Sequence, residues 1–182
     1  GAMQAMQALQ LILGLHAGVL PMLASILPMA KSEVSASPEI ALLTAVISSE
    51  LTGAEKGLVI RKVTLDVNKP TEFRLSDPDS LLGQALAIMI QPGTKQINIE
   101  YQTTPEAEAL QWLAPQQTAG KQHPFLFTQS PAILARSWVP CQDTPGVRFT
   151  YEAKVTVPSH LLPLMSAANP QSKNTTGIYH FE

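Results

Sequence analysis

A chain of 182 residues is long enough for one domain with a sizeable core, or one domain plus an appendage. The formal net charge is −2 and no long basic run occurs, which excludes the electrostatic footprint of a nucleic-acid binder. Only 14% of the residues are charged, which implies surface that is covered in the intact molecule, and a single cysteine excludes an internal disulfide.

Gly1-Ala2-Met3 reads as the scar of a cleaved expression tag and is set aside. Residues 4–50 form an apolar lead segment, and 4–30 carry no charged side chain. Leu9, Ile12, Leu13, Leu20, Leu23 and Leu27 follow a roughly helical period, interrupted by Gly14, Gly18, Pro21 and Pro28. One or two short buried helices are expected here. A signal-like segment with Val34-Ser35-Ala36 as its cleavage site lacks a positive n-region, and a transmembrane span is cut by the prolines and glycines. A cytoplasmic location is favoured, with a periplasmic or secreted one if residues 4–36 act as a signal. Residues 39–51 read as a helix with Ser37 as cap and Pro38 at its first position, or as a strand in which Leu43, Ala45 and Ile47 alternate with Thr44, Val46 and Ser48.

From Leu58 the pattern turns to β. In LVIRKVTLDV, Val59, Val63, Leu65 and Val67 share one parity and Arg61 breaks it. Asn68-Lys69-Pro70 is a turn, TEFRL a return strand, Asp77-Pro78-Asp79 a second turn, ALAIMI an apolar strand and Pro92-Gly93 a third turn. In KQINIEYQT, Ile97, Ile99 and Tyr101 line one face against Gln96, Asn98 and Glu100.

The stretch from Pro105 to Pro145 breaks this regularity. It holds both tryptophans, Trp112 and Trp138, and Cys141, and it reads as a loop-rich surface held by the β scaffold, the kind of surface that carries function. Beyond it, VRFTYEAKVTVP resumes the alternation with Val147, Phe149 and Tyr151 in phase, and LLPLMSA and GIYHFE are further strands. The loop from Asn169 to Gly177 reads as polar and mobile and contains the sequon Asn174-Thr175-Thr176. Short strands joined by Pro, Gly and Asp turns predict a mainly β, antiparallel sandwich or curved sheet with a helical apolar lead segment.

No catalytic constellation is complete. Cys141 lacks a supporting histidine signature and reads as a buried, inert thiol. The spacing of a zinc site is missing, Ser130 has no flanking glycines, and no phosphate loop occurs. His123 reads as a loop histidine with one backbone hydrogen bond, Trp112 and Trp138 as core or interface anchors, and Arg136 and Asp143 as a pair that pins the loop.

Ala109-Leu110-Gln111-Trp112-Leu113, Gln117-Thr118-Ala119-Gly120-Lys121, His123-Pro124, Phe127-Thr128-Gln129 and Pro140-Cys141-Gln142-Asp143-Thr144-Pro145, followed by Phe149-Thr150-Tyr151, occur in this order. Together they resemble the amino-terminal β domain of the M1 zinc aminopeptidases, in the leukotriene A4 hydrolase-like branch. The resemblance runs from about Leu58 to Glu182, so residues 51–182 are expected to form an incomplete domain of that type. It implies a saddle-shaped β domain packed on a thermolysin-like catalytic domain of the same polypeptide. The zinc-binding HExxH helix and GxMEN loop of the family do not occur here. The resemblance therefore implies no cofactor in this chain, zinc in the parent enzyme's catalytic domain, and no catalysis by this chain alone.

In the family a Q-x-Q-A or Q-x-E-A loop helps bind the substrate's free amino end. Here the loop is Gln129-Ser130-Pro131-Ala132, and these four are the implied substrate-binding residues. Pro131 replaces the family's Gln or Glu and offers neither a side-chain acceptor nor a backbone donor. The implied partner is a peptide substrate, by way of the parent enzyme. The rival reading is a diverged, non-enzymatic β binding module whose apolar lead segment docks a partner or membrane. Uncovered apolar surface also predicts self-association of the isolated chain.

Overall fold

The computed structural model describes residues 10–11, 20–26, 40–45, 47–49, 55–143 and 150–182, with side chains described from 58 to 143 and from 150 onward. Fourteen strands occur among these residues: β1 Gln10–Leu11, β2 Leu20–Ile26, β3 Ile40–Ala45, β4 Ile47–Ser49, β5 Glu55–Leu65, β6 Lys69–Pro70, β7 Phe73–Leu75, β8 Gln84–Met89, β9 Ile97–Thr103, β10 Leu110–Leu113, β11 Phe125–Thr128, β12 Ala153–Thr156, β13 Pro163–Leu164 and β14 Ile178–Phe181. Short 3-10 turns occupy Pro115–Gln117 and Ala135–Ser137. Every strand pairing is antiparallel, as the turn-rich sequence implies.

Two compact units divide the chain. One contains residues 19–107 and 136–143 and holds a sheet of order β2-β9-β5-β4, with β6 also on β5, and a second of order β3-β8-β7. Its core joins Leu58, Val63 and Leu65 of β5, Ile97, Ile99 and Tyr101 of β9, and Leu86 and Ile88 of β8. The two sheets thus bury their inner faces against each other, as in a sandwich. Each fully buried Leu or Ile stabilises by about 1.5–3 kcal/mol.

The parity break at Arg61 has a structural cause. The register between β5 and β9 shifts between Ile60 and Lys62, so one extra residue sits at Arg61. Leu58 and Ile60 face the core before this bulge, and Val63 and Leu65 after it. The single-parity expectation through Val67 fails for that reason, and Val67 is 93% exposed in the turn beyond. Arg61 lies outside, donating from Nε to Gln102 Oε1 at 3.0 Å.

The turns follow local chemistry. The first lies at Asp66–Asn68, both ends at positive φ, rather than at residues 68–70. The Asp66 carboxylate accepts from the backbone of Lys95 and Gln96. Asp79 accepts from the N–H groups of Leu81 and Leu82 at 2.9 and 2.7 Å, which also lowers its pKa. Gly93 takes φ +85 at the third position of a turn closed by Thr94 N to Gln91 O.

The helical expectation for the lead segment is corrected where the structure describes it. β2 pairs residue for residue with β9, from Leu20 opposite Thr103 to Ile26 opposite Ile97, and β3 pairs with β8. The strand alternative for residues 39–51 is the one realised, in β3 and β4. An apolar run that fits a helical period is not distinguishable from a buried strand by period alone, and the unpaired edges of β8 and β9 supply partners for its backbone. Pro21 is tolerated because β2 is the edge of its sheet. Gly14, Gly18, Pro28 and the cleavage-like residues 34–36 lie outside the described residues.

The other unit contains residues 1–18, 108–135 and 144–182, with sheets of order β10-β11-β1-β13 and β12-β14. In β14, Tyr179 and Phe181 are buried and Ile178 and His180 exposed, as alternation predicts. Val147 and Phe149 lie outside the described residues. The loop expected to be mobile is tied down. Asn174 donates from Nδ2 to Ile178 O and accepts at Oδ1 from Thr176 Oγ1 and Gly177 N, while its own N–H donates to the Tyr179 hydroxyl. Asn169 brackets Met165 through both its N–H and its carbonyl.

Candidate functional site

The implied loop leaves β11 at its C-terminal end. The β10–β11 hairpin pairs Leu110 with Thr128 and Trp112 with Leu126. The ladder continues one step past the strand, where Gln129 N donates to Ala109 O at 2.8 Å. Thr128 and Ser130 are buried, 2% and 4% exposed, and serve as footings, while Gln129, Pro131 and Ala132 are exposed. The four residues are therefore brought together as one loop that turns three of its members outward.

Ala132 adopts φ +58, a left-handed conformation uncommon for a residue with a Cβ. Sequence reasoning could not foresee this, because alanine gives no local signal for that region as Gly or Asn would. Holding it there costs on the order of 1 kcal/mol, which the footings at Thr128 and Ser130 must offset.

Farther along the chain, the 136–143 segment is built differently. Arg136 is buried, and its Nε lies 3.2 Å from Asp143 Oδ2, with side-chain exposures of 6% and 11%. Arg136 also donates from its backbone to Asp143 Oδ2, from Nη2 to Asp143 O and from Nη1 to Leu82 O. The expected pairing is realised, and it extends to the Asp79–Gly83 turn. Cys141 is buried, and desolvation, followed by the Asp143 charge, pushes its thiol up to about 12 against the lowering influence of Arg136. Such a thiol is not a nucleophile at neutral pH. Burial raises the Tyr101 hydroxyl too.

Trp138 is buried, as expected of an anchor. Trp112 is half-buried, and its Nε1 is shielded from solvent with no hydrogen-bond partner among the described residues. The His123 ring is exposed and lies beside that of His160, centroids 5.9 Å apart. Its carbonyl, rather than its ring, meets the Thr118 hydroxyl at 3.1 Å.

No group of three His, Cys, Asp or Glu among the described residues would hold a metal. A catalytic zinc takes three protein ligands, so the zinc that the resemblance implies does not fit these residues. Among the described residues, no helix is long and apolar enough to cross a membrane.

The model of the peptidase M1 N-terminal domain matches residues 29–182. The chain belongs to the M1 peptidase N-terminal domain family. The match starts earlier than the resemblance carried by the motifs and takes in β3 and β4. The chain is 41% identical to leukotriene A-4 hydrolase of Xenopus laevis over 137 residues, 70% of this chain and 22% of that protein. It is 36% identical to leucine aminopeptidase 2 of Aspergillus niger over 143 residues, 74% of this chain and 23% of that protein. Native leukotriene A4 hydrolase from Saccharomyces cerevisiae superposes with a TM-score of 0.73 at 25% identity, covering 98% of this chain and 28% of that one. The M1 N-terminal domain described here thus spans less than a quarter of the length of these two curated relatives.

Proposed function

We propose that this M1 N-terminal domain walls one side of the substrate cleft in a zinc-dependent aminopeptidase of the leukotriene A4 hydrolase-like kind. In this reading the 129–132 loop meets the free amino end of a peptide. Hydrolysis of the N-terminal peptide bond belongs to a catalytic domain of the same, longer polypeptide, which also holds the zinc. The relatives that are named hydrolases and aminopeptidases support the assignment. The observation that carries the loop's role is its build: Gln129 is exposed between buried Thr128 and Ser130, and Ala132, exposed beyond them, is held left-handed.

The chemistry suits an ammonium group. The Gln129 carboxamide oxygen is an acceptor, and a hydrogen bond from a charged donor contributes about 1.5–3 kcal/mol. Pro131 removes the second acceptor that the family pattern carries, so recognition rests on Gln129 and on loop shape. In the complete polypeptide, Gln129→Ala is expected to raise KM for peptides with a free amino end about tenfold or more, with a much smaller effect on kcat. Pro131→Glu, which restores a carboxylate, is expected to lower KM. Unchanged KM in both variants, with the fold intact, would remove the loop from substrate binding.

A further inference from the structure

Two histidines far apart in sequence meet at one end of a single sheet. β1 lies between β11 and β13 and is antiparallel to both, so β11 and β13 run in the same direction. Gln10 is opposite Phe127 on one side and Leu164 on the other, which puts those two residues level. His123 precedes Phe127 by four residues (127 − 123), and His160 precedes Leu164 by four (164 − 160). Equal offsets before parallel, level strands bring both rings out at the same end of the sheet.

The rings are 5.9 Å apart between centroids and inclined at 43°, and both residues are exposed. Two imidazoles that share one ion through nitrogens at about 2.0–2.1 Å hold their centroids roughly 4.5–5.2 Å apart, at right or tetrahedral angles. The observed separation exceeds that by about 1 Å, a gap that rotation of the two exposed side chains closes by turning one nitrogen of each ring toward a shared ion.

Both backbones are already fixed. The 118–123 turn is closed by Lys121 N to Thr118 O and by the Thr118 hydroxyl against His123 O. The 158–161 turn is closed by Leu161 N to Pro158 O, and the Leu161 side chain is buried. Ligands on fixed turns lose little freedom on binding. Lys121 is the one charged residue between 115 and 125, and 155–165 contain none. Water would fill the remaining coordination positions, and no carboxylate in either turn favours calcium or magnesium. Neutral imidazole suits late first-row ions.

We infer that His123 and His160 form a two-histidine chelating site for a divalent late first-row transition ion of the nickel, copper or zinc class, clamping the turns that lead into β11 and β13. The test is calorimetric titration of the untagged 182-residue chain with Ni2+ alone at pH 7.5. One strong site per chain is expected. His123→Gln and His160→Gln each weaken it by about tenfold or more, the double variant is no worse than either single one, and His180→Gln has no effect. That non-additivity marks a chelate, because losing either ring ends it. Metal-free thermal midpoints that match the parent chain confirm folding, and the midpoint rise caused by Ni2+ disappears in both single variants. The proposal is overturned if the effects of His123→Gln and His160→Gln simply add, or if neither exceeds that of His180→Gln.

Discussion

The 129–132 loop and the 136–143 segment use polar residues in opposite ways. In the 136–143 segment Arg136 is sealed in, and its backbone N–H, Nε, Nη1 and Nη2 donate to Asp143 and Leu82. In the loop, buried Thr128 and Ser130 flank an exposed Gln129, and a strained Ala132 completes the turn. A buried ion pair tied to backbone carbonyls specifies a backbone, whereas an exposed amide on a fixed backbone is open to solvent. The difference teaches that charge in a Pro-rich stretch can serve to hold backbone, while the uncharged Gln129 nearby is the side chain left exposed.

The largest effect that would test this contrast is at the ion pair. Arg136→Ala or Asp143→Ala leaves the other charge buried and is expected to destabilise by about 3–5 kcal/mol in chemical denaturation. A loss below about 1 kcal/mol would move the segment into the class of exposed pairs such as Lys62–Glu100, 3.8 Å apart with both side chains over half exposed.

Gly177 comes next. It takes φ +67, and a Cβ there would stand 1.9 Å from Val157 O. Gly177→Ala is expected to destabilise by roughly 2–4 kcal/mol, because it adds backbone strain to a clash with backbone that cannot yield. Asn174→Ala, which removes the contacts that hold the same loop, is expected to lose about 1–2 kcal/mol. Thermal melts of both variants measure this.

The pH dependence tests the buried side of the comparison. The Cys141 thiol is raised from an ordinary 9.0 to about 12 in the folded chain. Its contribution is therefore fully present below pH 9 and is lost between pH 9 and 12, as the unfolded state sheds a proton that the folded state keeps. The slope of that loss is about 1.4 kcal/mol per pH unit, and Tyr101 adds to it at the alkaline end. Cys141→Ser should flatten the first part of this decline. The smallest effect falls on the loop: Ala132→Gly, which relieves the left-handed strain, is expected to change stability by less than about 1 kcal/mol.

What could be read from the sequence followed local rules. β9 and β14 alternate because each buries one face, and the Asp79 and Pro92-Gly93 turns carry their own geometry. The Arg136–Asp143 pair was legible as opposite charges in a Pro-rich stretch, and the resemblance singled out the 129–132 loop. What could not be read depended on distant partners. β2 and β3 are strands because β9 and β8 offer open edges, and a one-residue bulge at Arg61 reverses the parity of β5. His123 and His160 share no sequence signature, and only the common neighbour β1 brings them level.

The central claim, that the Gln129 loop faces the amino end of a bound peptide, is tested most directly by photo-crosslinking in the complete polypeptide. Gln129 would be replaced by p-benzoylphenylalanine and the protein irradiated with a peptide substrate. The account predicts a crosslink at the peptide's first residue that unlabelled substrate competes away. Attachment only within the protein itself, unaffected by substrate, would contradict it.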